Sequence, residues 1–489
     1  GKIVDAYPLD SNLRVGPGRH TLPVVTHFQF PEDHGSFANA TERCFGIGKC
    51  RRLEGGTMCP SFRATREEKD TTRGRARLLF EMLSGEVIED GWRSEAVKES
   101  LDLCLACKGC KGDCPVSVDV ATYKAEFLSH YYEGRLRPRS AYALGLIGLW
   151  ARLGAHAPKL VNFALDEPAI ARGLKALAGV AQARELPQLA GESFRAWFAR
   201  RGESKGERAV LLWPDTFNNY FHPSVARAAV EVLEWAGYRV VLPRGPVCCG
   251  RPLYDYGMLD RAKRQLRSSM RALAPALEAG LPVIGLEPSC LAVFRDELPN
   301  LFPRDPRARK LAEQSLLLSE LFDRDGVRFP ALKRRAIVHG HCHHRAVMGL
   351  EAEERVLDRL GLSAEILDSG CCGMAGSFGY ERPRYEVSMK IGEEVLLPKV
   401  RATPVDDLVI ANGFSCRAQI EGATARRPLH LAEVLHLAIH HGPDGPPGAR
   451  PERLYVDEHP RLSRRQAAAW LVGCAALAVA GAWYGRRRR

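Results

Sequence analysis

Four closely spaced cysteines form the part of the sequence whose side chains are best suited to chemistry. They are Cys104, Cys107, Cys110 and Cys114, and Pro115 follows the last of them. At spacings of two, two and three residues, the first three thiolates can bind one iron–sulfur cluster while the fourth reaches a second cluster. Charged residues interleave with them, which argues against cysteines that are simply buried as small hydrophobic residues. Zinc is the alternative, although zinc sites usually use two separated cysteine pairs.

A second, looser cysteine group precedes this run and consists of Cys44, Cys50 and Cys59. The two groups together resemble the paired cluster motifs of bacterial ferredoxins, with the middle ligand of the first motif replaced near Ile47. The resemblance implies crosswise ligation of two clusters. One [4Fe-4S] cluster would be bound by Cys59, Cys104, Cys107 and Cys110. The second site, on Cys44, Cys50 and Cys114, would hold a [3Fe-4S] cluster or a [4Fe-4S] cluster with a non-cysteine ligand, or would be empty.

Two copies of a strand and helix pattern follow, and each copy carries a Cys-Cys-Gly sequence after a predicted strand. The first copy contains Cys248, Cys249 and Cys290, and the second contains Cys342, Cys371, Cys372 and Cys416. Strands that alternate with helices predict α/β units with parallel sheets, and the repeat predicts that the units pair pseudosymmetrically. Adjacent cysteines point to opposite sides of an extended chain, so we expect Gly250 and Gly373 to supply sharp turns.

The repeat resembles the cysteine-rich CCG domain of heterodisulfide reductase and of the iron–sulfur subunits of glycolate oxidase and anaerobic glycerol-3-phosphate dehydrogenase. The second copy matches that pattern, which implies a cluster or a zinc ion on its four cysteines. The first copy has Thr216 or a neighbour where the leading cysteine should stand, so its three cysteines are weaker candidates. Four histidines flank Cys342, and we expect at least three of them to meet solvent or a backbone group. They are His339, His341, His343 and His344.

The composition is typical of a multidomain protein from a reducing compartment. The chain has 489 residues, 45% of them hydrophobic, which is enough for about two to four domains. Its 15 cysteines concentrate in cluster-type motifs rather than in a disulfide framework, which favours a cytoplasmic location. The formal charge of +12 comes without a recognisable nucleic-acid module, so we expect a membrane surface or an acidic partner instead. No signal-peptide pattern follows Gly1, which fits a fragment or a processed half.

Helices are expected to position the first two cysteine groups. We predict one helix that ends before Gly85 and another at Ser94–Leu103 that leads directly to Cys104. The first of these helices carries Arg73, Arg75 and Arg77. Such a cluster could bind a carboxylate or phosphate, but a solvated or salt-bridged face is the favoured interpretation. Residues 119–199 should be largely helical, with the apolar run Ala141–Ala151 buried between elements or against a partner.

The two ends of the chain suggest further connections. Residues 1–40 predict a pair of strands without a core of their own, and the opening G-K-I-V resembles the close of the flavin domain in glycolate oxidase and D-lactate dehydrogenase type enzymes. This implies FAD on an upstream domain or partner chain, because no G-x-G-x-x-G opens a βαβ unit here. At the other end, Ala467–Gly485 is uncharged and flanked by arginines. We predict a C-terminal helix in the inner membrane, with a surface-bound helix as the alternative.

These parts predict an α-helical ferredoxin-like module, then two pseudosymmetric α/β CCG domains with parallel sheets, and a C-terminal membrane helix. The expected divisions are 1–40 for the end of a flavin domain or a linker, 41–134 for the ferredoxin-like domain, 135–207 for a helical connector, 208–330 for degenerate CCG domain 1, 331–442 for CCG domain 2, 443–466 for a Pro/Gly-rich linker, and 467–485 for the membrane helix.

As far as about Glu433, the chain resembles the iron–sulfur half of FAD-linked D-2-hydroxyacid dehydrogenases of the D-lactate, glycolate and D-2-hydroxyglutarate type. The resemblance implies that a flavin elsewhere takes a hydride from the hydroxyacid, and that clusters here pass single electrons to a quinone or another carrier. No group in this chain then needs to act as a general base, so we assign no catalytic residue. The alternatives are a heterodisulfide or disulfide reductase that uses the second CCG site, and a non-enzymatic, zinc-binding anchor subunit.

Overall fold

The computed structural model describes residues 8, 11, 21–446 and 450–469. Its first part is helical, as expected for the residues around the early cysteine groups and for residues 119–199. The helices before the first strand are α1 Phe37–Glu42, α2 Pro60–Thr65, α3 Thr72–Ser84, α4 Glu95–Asp102, α5 Gly109–Asp113, α6 Val120–Tyr131, α7 Arg139–Ala143, α8 Ile147–Gly154, α9 Pro158–Asp166, α10 Pro168–Ala178 and α11 Phe194–Arg200.

Helices α3 and α4 form where the sequence predicts them. The Thr71 side chain accepts a hydrogen bond from the Gly74 amide and caps the start of α3, and Gly85 ends the helix in the left-handed conformation. Ser94 caps α4 in the same way. Leu79 and Leu83 are buried on the inner face of α3, so this helix packs beneath the cysteine loops.

A four-stranded parallel sheet follows the helical part. The elements of this first α/β unit are β1 Arg208–Trp213, α12 Thr216–Tyr220, α13 Pro223–Trp235, β2 Tyr238–Val241, α14 Arg251–Tyr254, α15 Leu259–Glu278, β3 Val283–Gly285, α16 Pro288–Ala292, α17 Leu298–Leu301, α18 Pro306–Gln314, β4 Ser315–Leu317 and α19 Leu318–Arg324. The strand order is β2-β1-β3-β4. Successive residues of β1 enter different apolar clusters, Leu211 on one face and Leu212 on the other, as expected for a parallel sheet covered on both faces.

A second α/β unit repeats the central part of the first. Its elements are β5 Arg335–His339, α20 Glu351–Arg359, β6 Ser363–Leu367, α21 Tyr385–Glu394, α22 Leu396–Ala402, β7 Leu408–Ile410, α23 Phe414–Ala423 and α24 Leu431–His441. The strand order β6-β5-β7 is parallel throughout and matches β2-β1-β3. The internal repeat and the parallel sheets are therefore confirmed.

The two α/β units share one apolar core. Helix α13 of the first unit and helix α24 of the second contribute small and branched residues to it, among them Val225, Ala229, Val434 and Ala438. Small side chains let the two helix backbones approach closely. The units are thus joined side by side rather than linked by a loose connector.

Residues 21–40 do not form the predicted strands. Phe28 is fully buried, and the backbone amides of His27 and Phe28 donate hydrogen bonds to the Glu126 carboxylate at 2.8 and 2.9 Å. A carboxylate on α6 therefore takes the place of a strand partner for this segment. The residues before position 21, apart from 8 and 11, lie outside the described part of the chain.

The apolar run Ala141–Ala151 is not buried between elements as predicted. It is divided between α7 and α8, and Leu149 and Trp150 are 38% and 48% exposed. Each of α8, α9 and α10 buries only one side chain, Ala151, Asn162 and Ala171 respectively. The helical connector therefore presents an apolar outer face, which leaves a partner surface as the remaining interpretation.

The predicted membrane helix falls almost wholly outside the described residues, which end at 469. Among the helices that the structure does describe, none combines the length and the apolar character that crossing a bilayer requires.

Candidate metal centres

The turn that carries Cys104, Cys107 and Cys110 follows α4 directly. Ala106 and Lys108 both adopt positive φ angles, 51° and 60°, on either side of Cys107. Left-handed backbone at two non-glycine residues is uncommon and folds the chain tightly. The turn thereby brings cysteines that are three residues apart to the same side, as the cluster motif requires.

Four of the predicted ligands line one small cavity. They are Cys59, Cys104, Cys107 and Cys110. Cys59 reaches the cavity from the loop before α2, where it stands as the residue preceding the helix. This set is the one that crosswise ligation predicts for the first cluster, and the structure brings all four thiols together.

The environment of these thiols favours a bound metal centre. Burial raises the pKa of Cys107 and of Cys110 well above the usual 9.0, and neighbouring thiols raise both values further. Without a cation, such thiols would stay protonated, whereas a metal centre supplies the positive charge that thiolates need. Four converging sulfur donors fit a [4Fe-4S] cluster, and the donor set alone also suits zinc.

Arg75 and Lys124 place positive charge beside this cavity. Arg75 is 1% exposed, and its Nη1 lies 3.4 Å from the Cys59 sulfur. Burial alone would lower the pKa of Arg75, but the Cys59 and Cys104 thiols raise it overall. Lys124 donates to the Cys104 carbonyl at 2.6 Å. All three arginines form ion pairs, Arg75 with Asp70 at 3.5 Å and Arg73 and Arg77 with Glu68 and Glu81. The face is therefore salt-bridged, one of the two forms predicted, but Arg75 is buried rather than solvated.

The second predicted set, Cys44, Cys50 and Cys114, also gathers in one neighbourhood. Cys50 packs with Met58 and Phe62 in an apolar cluster that Cys114 borders. Burial raises the pKa of Cys50, and the thiols of Cys59 and Cys44 add to the shift. Three sulfurs are available here, which fits either of the two cluster types expected for this site.

In the first α/β unit, the Cys-Cys-Gly sequence forms the expected turn. Gly250 has φ +80°, and the sulfurs of Cys249 and Cys290 lie 3.0 Å apart. Thr216 occupies the position of the missing leading cysteine, with its hydroxyl 3.8 Å from the Cys248 sulfur. The hydrogen bond with Cys249 lowers the pKa of Cys290, but burial outweighs this effect and raises the pKa to about 11. The unit therefore offers three thiols and one hydroxyl.

In the second α/β unit, all four predicted cysteines converge and are almost fully buried. Gly373 has φ +85°, and a Cβ atom there would lie only 2.1 Å from the Ser388 carbonyl oxygen. The ligand atoms of His339, Cys372 and Cys416 lie within 4.8 Å of one another. Hydrogen bonds from Cys371 and Cys416 lower the pKa of Cys372 well below 9.0. The Cys371 thiol contacts both Cys342 and Cys372. Four sulfurs and one imidazole can therefore share a metal centre.

The four histidines near Cys342 differ from their prediction. All are buried, at 1% to 5% exposed, so none meets solvent. His341 accepts a hydrogen bond from the backbone amide of His343 at 3.2 Å, whereas His339 contacts the Ser369 hydroxyl at 2.7 Å. Burial lowers the pKa of His341 to about 4 and that of His344 to about 3. The imidazoles of His341 and His344 are therefore neutral, which is the form that binds metals.

The cysteine turn is fixed between the two α/β units. Arg251 of the first unit donates to the Ala106 carbonyl at 2.7 Å, and buried Lys108 pairs with Asp296 at 2.7 Å. On the other side, Cys107 shares an apolar cluster with Cys342 and Cys371 of the second unit. The first thiol set and the second α/β unit's thiol set are thus direct neighbours.

A cavity of about 530 Å³ lies where the α/β units and the connector helices meet. Its walls include thiols from both units, the Glu287 carboxylate, and several aromatic side chains. The aromatic residues are Trp150, Phe217, Tyr220, Phe221, Tyr380 and Phe414. Phe217 and Phe414 stack across the unit boundary with ring centroids 4.0 Å apart. The volume suits a small organic molecule.

Two features of the sites were not predicted from the sequence. They are the burial of Arg75, which was named only as part of an arginine cluster, and the contact of Arg251 with the cysteine turn. Arg75 lies four residues before Leu79 and seven before Met82, so helical periodicity places it on the buried face. That signal was available in the sequence. Arg251 follows Gly250 directly, but no pattern indicates its distant partner Ala106.

Comparison with known families assigns both kinds of cysteine group. Residues 40–118 match the 4Fe-4S dicluster domain family, and residues 215–295 and 338–421 match the cysteine-rich domain family. All candidate cysteines fall within these ranges. The match supports iron–sulfur clusters in the helical part and an electron-transfer role for the chain.

The chain is also similar to several characterised proteins. It is 28% identical to D-2-hydroxyglutarate dehydrogenase of Pseudomonas putida over 441 residues, which covers 80% of this chain and 42% of that protein. It is 29% identical over 291 residues to an anaerobic glycerol-3-phosphate dehydrogenase subunit of Escherichia coli, covering 57% and 72%. It is 32% identical over 243 residues to lactate utilization protein A of Bacillus velezensis, covering 46% and 98%. The chain thus spans less than half of the hydroxyglutarate dehydrogenase.

Proposed function

Because the chain belongs to the family of cysteine-rich-domain iron–sulfur proteins that includes lactate utilization protein A, we propose that it transfers electrons for an FAD-linked D-2-hydroxyacid dehydrogenase. The substrate would be a hydroxyacid of the lactate, 2-hydroxyglutarate or glycolate class. A flavin domain or partner subunit outside this chain would oxidise it. The matched hydroxyglutarate dehydrogenase is more than twice as long as the aligned region, which leaves room for such a domain.

The observation that carries the proposal is the continuity of the thiol sets. Cys107 adjoins Cys342, and the cysteines of the first α/β unit line a cavity that also reaches Cys342. When bound, iron–sulfur clusters at these cysteines would supply one-electron transfer. The protein groups exclude water from the thiols, and Arg75 offsets their negative charge. The arrangement therefore provides a path from the helical module to the cavity.

We propose a quinone as the electron acceptor that enters this cavity. A flat ring can stack against Phe217 and Phe414, and an apolar tail can leave along α8, where Leu149 and Trp150 line the opening. Reduction of a quinone to a quinol also consumes two protons. Burial raises the pKa of Glu287, so this carboxyl can hold a proton beside the cavity.

The acceptor is tested by reoxidation of the reduced protein. The anaerobic, dithionite-reduced chain is mixed with a short-chain quinone or with cystine, and its visible absorption is followed in a stopped-flow instrument. We expect the quinone to reoxidise the chain rapidly and cystine not to do so. Faster reoxidation by cystine would instead support the disulfide reductase alternative, in which the second CCG site cleaves the substrate.

A matched pair of glycine variants links this reaction to the cavity. A Cβ atom at Gly148 would lie 3.6 Å from the Cys248 sulfur, whereas nothing lies within 4 Å of one at Gly173. Gly148→Leu should fill the cavity and slow quinone reduction by at least about tenfold, equivalent to roughly 1.4 kcal/mol. Gly173→Leu, also on a connector helix, should leave the rate unchanged. Equal rates in both variants would place the quinone elsewhere.

We further propose that the cytoplasmic protein meets the inner membrane through the outer face of the connector. The exposed apolar residues of this face are Leu149, Trp150, Leu153, Ile170, Leu174 and Leu177. Arg464, which precedes the apolar C-terminal segment, pairs with Glu167 at 2.9 Å. The segment therefore begins beside the same helices. Such a face suits the membrane interface.

Vesicle binding of proteins that lack residues 470–489 tests this face. The double variant Leu153→Glu, Leu177→Glu should bind anionic vesicles more weakly than the truncated parent, whereas Val87→Glu should not. Equal binding by the truncated parent, the double variant and Val87→Glu would contradict the proposal.

A further inference from the structure

A group of metal-ligating side chains lies outside the cysteine motifs, on the helix pair that joins the two α/β units. Helix α13 carries Glu231, and helix α24 carries His436 and His440. The two histidines are four residues apart and therefore lie on the same face of α24. None of the proposed electron-transfer steps uses these residues.

The distances among the three side chains match a metal site. The His436 Nε2 and His440 Nε2 atoms lie 2.9 and 3.5 Å from the same Glu231 oxygen, Oε2. All three ligand atoms lie within 4.8 Å of one another. Ligands about 2.0 to 2.1 Å from a tetrahedral zinc ion are separated by about 3.3 Å. A small adjustment of exposed side chains would therefore enclose an ion.

The groups around the three residues support such a site. The Tyr455 hydroxyl lies 2.8 Å from His436 Nδ1, so it fixes the ring orientation with Nε2 directed toward Glu231, as hydrogen bonds to metal-binding imidazoles commonly do. The nearby Arg201 is already paired with Glu234 through two hydrogen bonds of 2.8 and 2.6 Å. Its charge is therefore offset and competes little for Glu231.

We propose that Glu231, His436 and His440 bind a divalent transition-metal ion, zinc above all, which links the two α/β units. Two imidazoles and one carboxylate form a donor set that zinc accepts, with water completing the coordination. The ion would join α13 to α24 on the outside of their shared apolar core. Because both units line the cavity, a metal ion bound at this site would also fix the relative position of the cavity walls.

Zinc titration of matched histidine variants tests the site. The full-length protein, with its iron content verified, is treated with EDTA, desalted and titrated with ZnCl₂ in a calorimeter. His440→Ala should lose one zinc-binding event or weaken it at least about tenfold. Tyr455→Phe should weaken the same event by about tenfold, the lower end of what loss of an outer-shell partner costs. His441→Ala removes the neighbouring imidazole and should bind zinc as the wild type does.

Thermal unfolding separates metal binding from misfolding. In EDTA, the wild type and His440→Ala should unfold at the same temperature, because His440 is 47% exposed at its side chain. Added zinc should raise the midpoint of the wild type and of His441→Ala but not that of His440→Ala. Equal zinc affinity and equal zinc stabilisation in the wild type and His440→Ala would overturn the proposal.

Discussion

Arg75 lies within the helical module as a buried cation beside a candidate cluster ligand. It donates to the Ser100 carbonyl at 2.7 Å and to the Ser61 hydroxyl at 2.9 Å, in addition to its contact with the Cys59 sulfur. A fixed positive charge at this distance favours addition of an electron to a bound cluster, because reduction makes the cluster more negative. Its role is thus electrostatic as well as structural.

Replacing Arg75 should therefore lower the reduction potential of the first centre. Arg75→Gln should shift the midpoint downward by roughly 59 mV or more, the amount that corresponds to a tenfold change for one electron. Arg75→Lys should restore most of the shift, since it retains the charge. A redox titration followed by EPR measures both midpoints. Arg77→Gln is the control, because Arg77 is an exposed residue on the same helix, and an equal shift there would refute a local effect.

Glu353 is a buried carboxyl whose protonation affects stability. Burial raises the pKa of Glu353 to about 7 from its usual 4.5, and the Asn412 amide donates to both of its oxygens. As the pH rises above 4.5, the unfolded chain loses this proton while the folded chain retains it. The free energy of unfolding therefore falls between about pH 4.5 and 7 and changes no further above that range.

Glu353→Gln removes this titration and should remove the associated loss of stability. Relative to the wild type, the variant should gain about 2 kcal/mol between pH 5 and pH 8, since one pKa unit corresponds to about 1.36 kcal/mol. Urea unfolding followed by tryptophan fluorescence at the two pH values measures the difference. Glu351→Gln, at an exposed position of the same helix, should show no such gain. A pH-independent difference for Glu353→Gln would contradict the assignment.

Among the structural elements, the two Cys-Cys-Gly turns were predictable because adjacent cysteines cannot share a site in an extended strand. Both glycines adopt positive φ angles, but their surroundings differ. The nearest atom to a Cβ at Gly250 would lie 3.8 Å away, whereas one at Gly373 would clash with the Ser388 carbonyl oxygen at 2.1 Å. The second turn therefore tolerates no side chain.

The two glycines allow a matched test of the turns. Gly373→Ala should destabilise the protein by several kcal/mol and abolish metal binding in the second α/β unit, because the clash adds to a backbone cost of about 1 to 3 kcal/mol. Gly250→Ala should incur only the backbone cost. Metal content and thermal unfolding of both variants provide the measurement. Equal losses in the two variants would show that the Ser388 contact is unimportant.

The regular elements followed from the sequence more closely than the irregular ones did. Helices α3 and α4 carry periodic patterns and caps, and their predicted ends agree with the structure to within a residue or two. The predicted alternation of strands and helices is also present. Residues 27–30 instead donate backbone hydrogen bonds to the side chains of Glu126 and Asn300, which lie about 100 and 270 positions away. The run Ala141–Ala151 has the composition of a buried helix, yet its burial depends on what covers the connector.

At the scale of the whole molecule, the crosswise grouping of Cys59 with Cys104, Cys107 and Cys110 agrees with the cavity that these residues line. That grouping followed from the resemblance of the two motifs to those of bacterial ferredoxins. The contact between Cys107 and Cys342 could not be predicted, because it depends on how the second α/β unit packs against the cysteine turn. The same packing creates the cavity in which we propose that the acceptor binds, so the proposed path between centres depends on the assembled fold.

The proposed function requires that the chain carry several iron–sulfur centres that exchange electrons. The most direct test is iron, sulfide and zinc analysis of anaerobically purified protein, combined with low-temperature EPR before and after dithionite. We expect about seven to twelve iron atoms per chain and signals from reduced clusters, with an oxidised-state signal near g of about 2.01 if the second site holds three irons. Zinc without iron, and no EPR signal in either state, would contradict the claim and leave a zinc-binding anchor subunit.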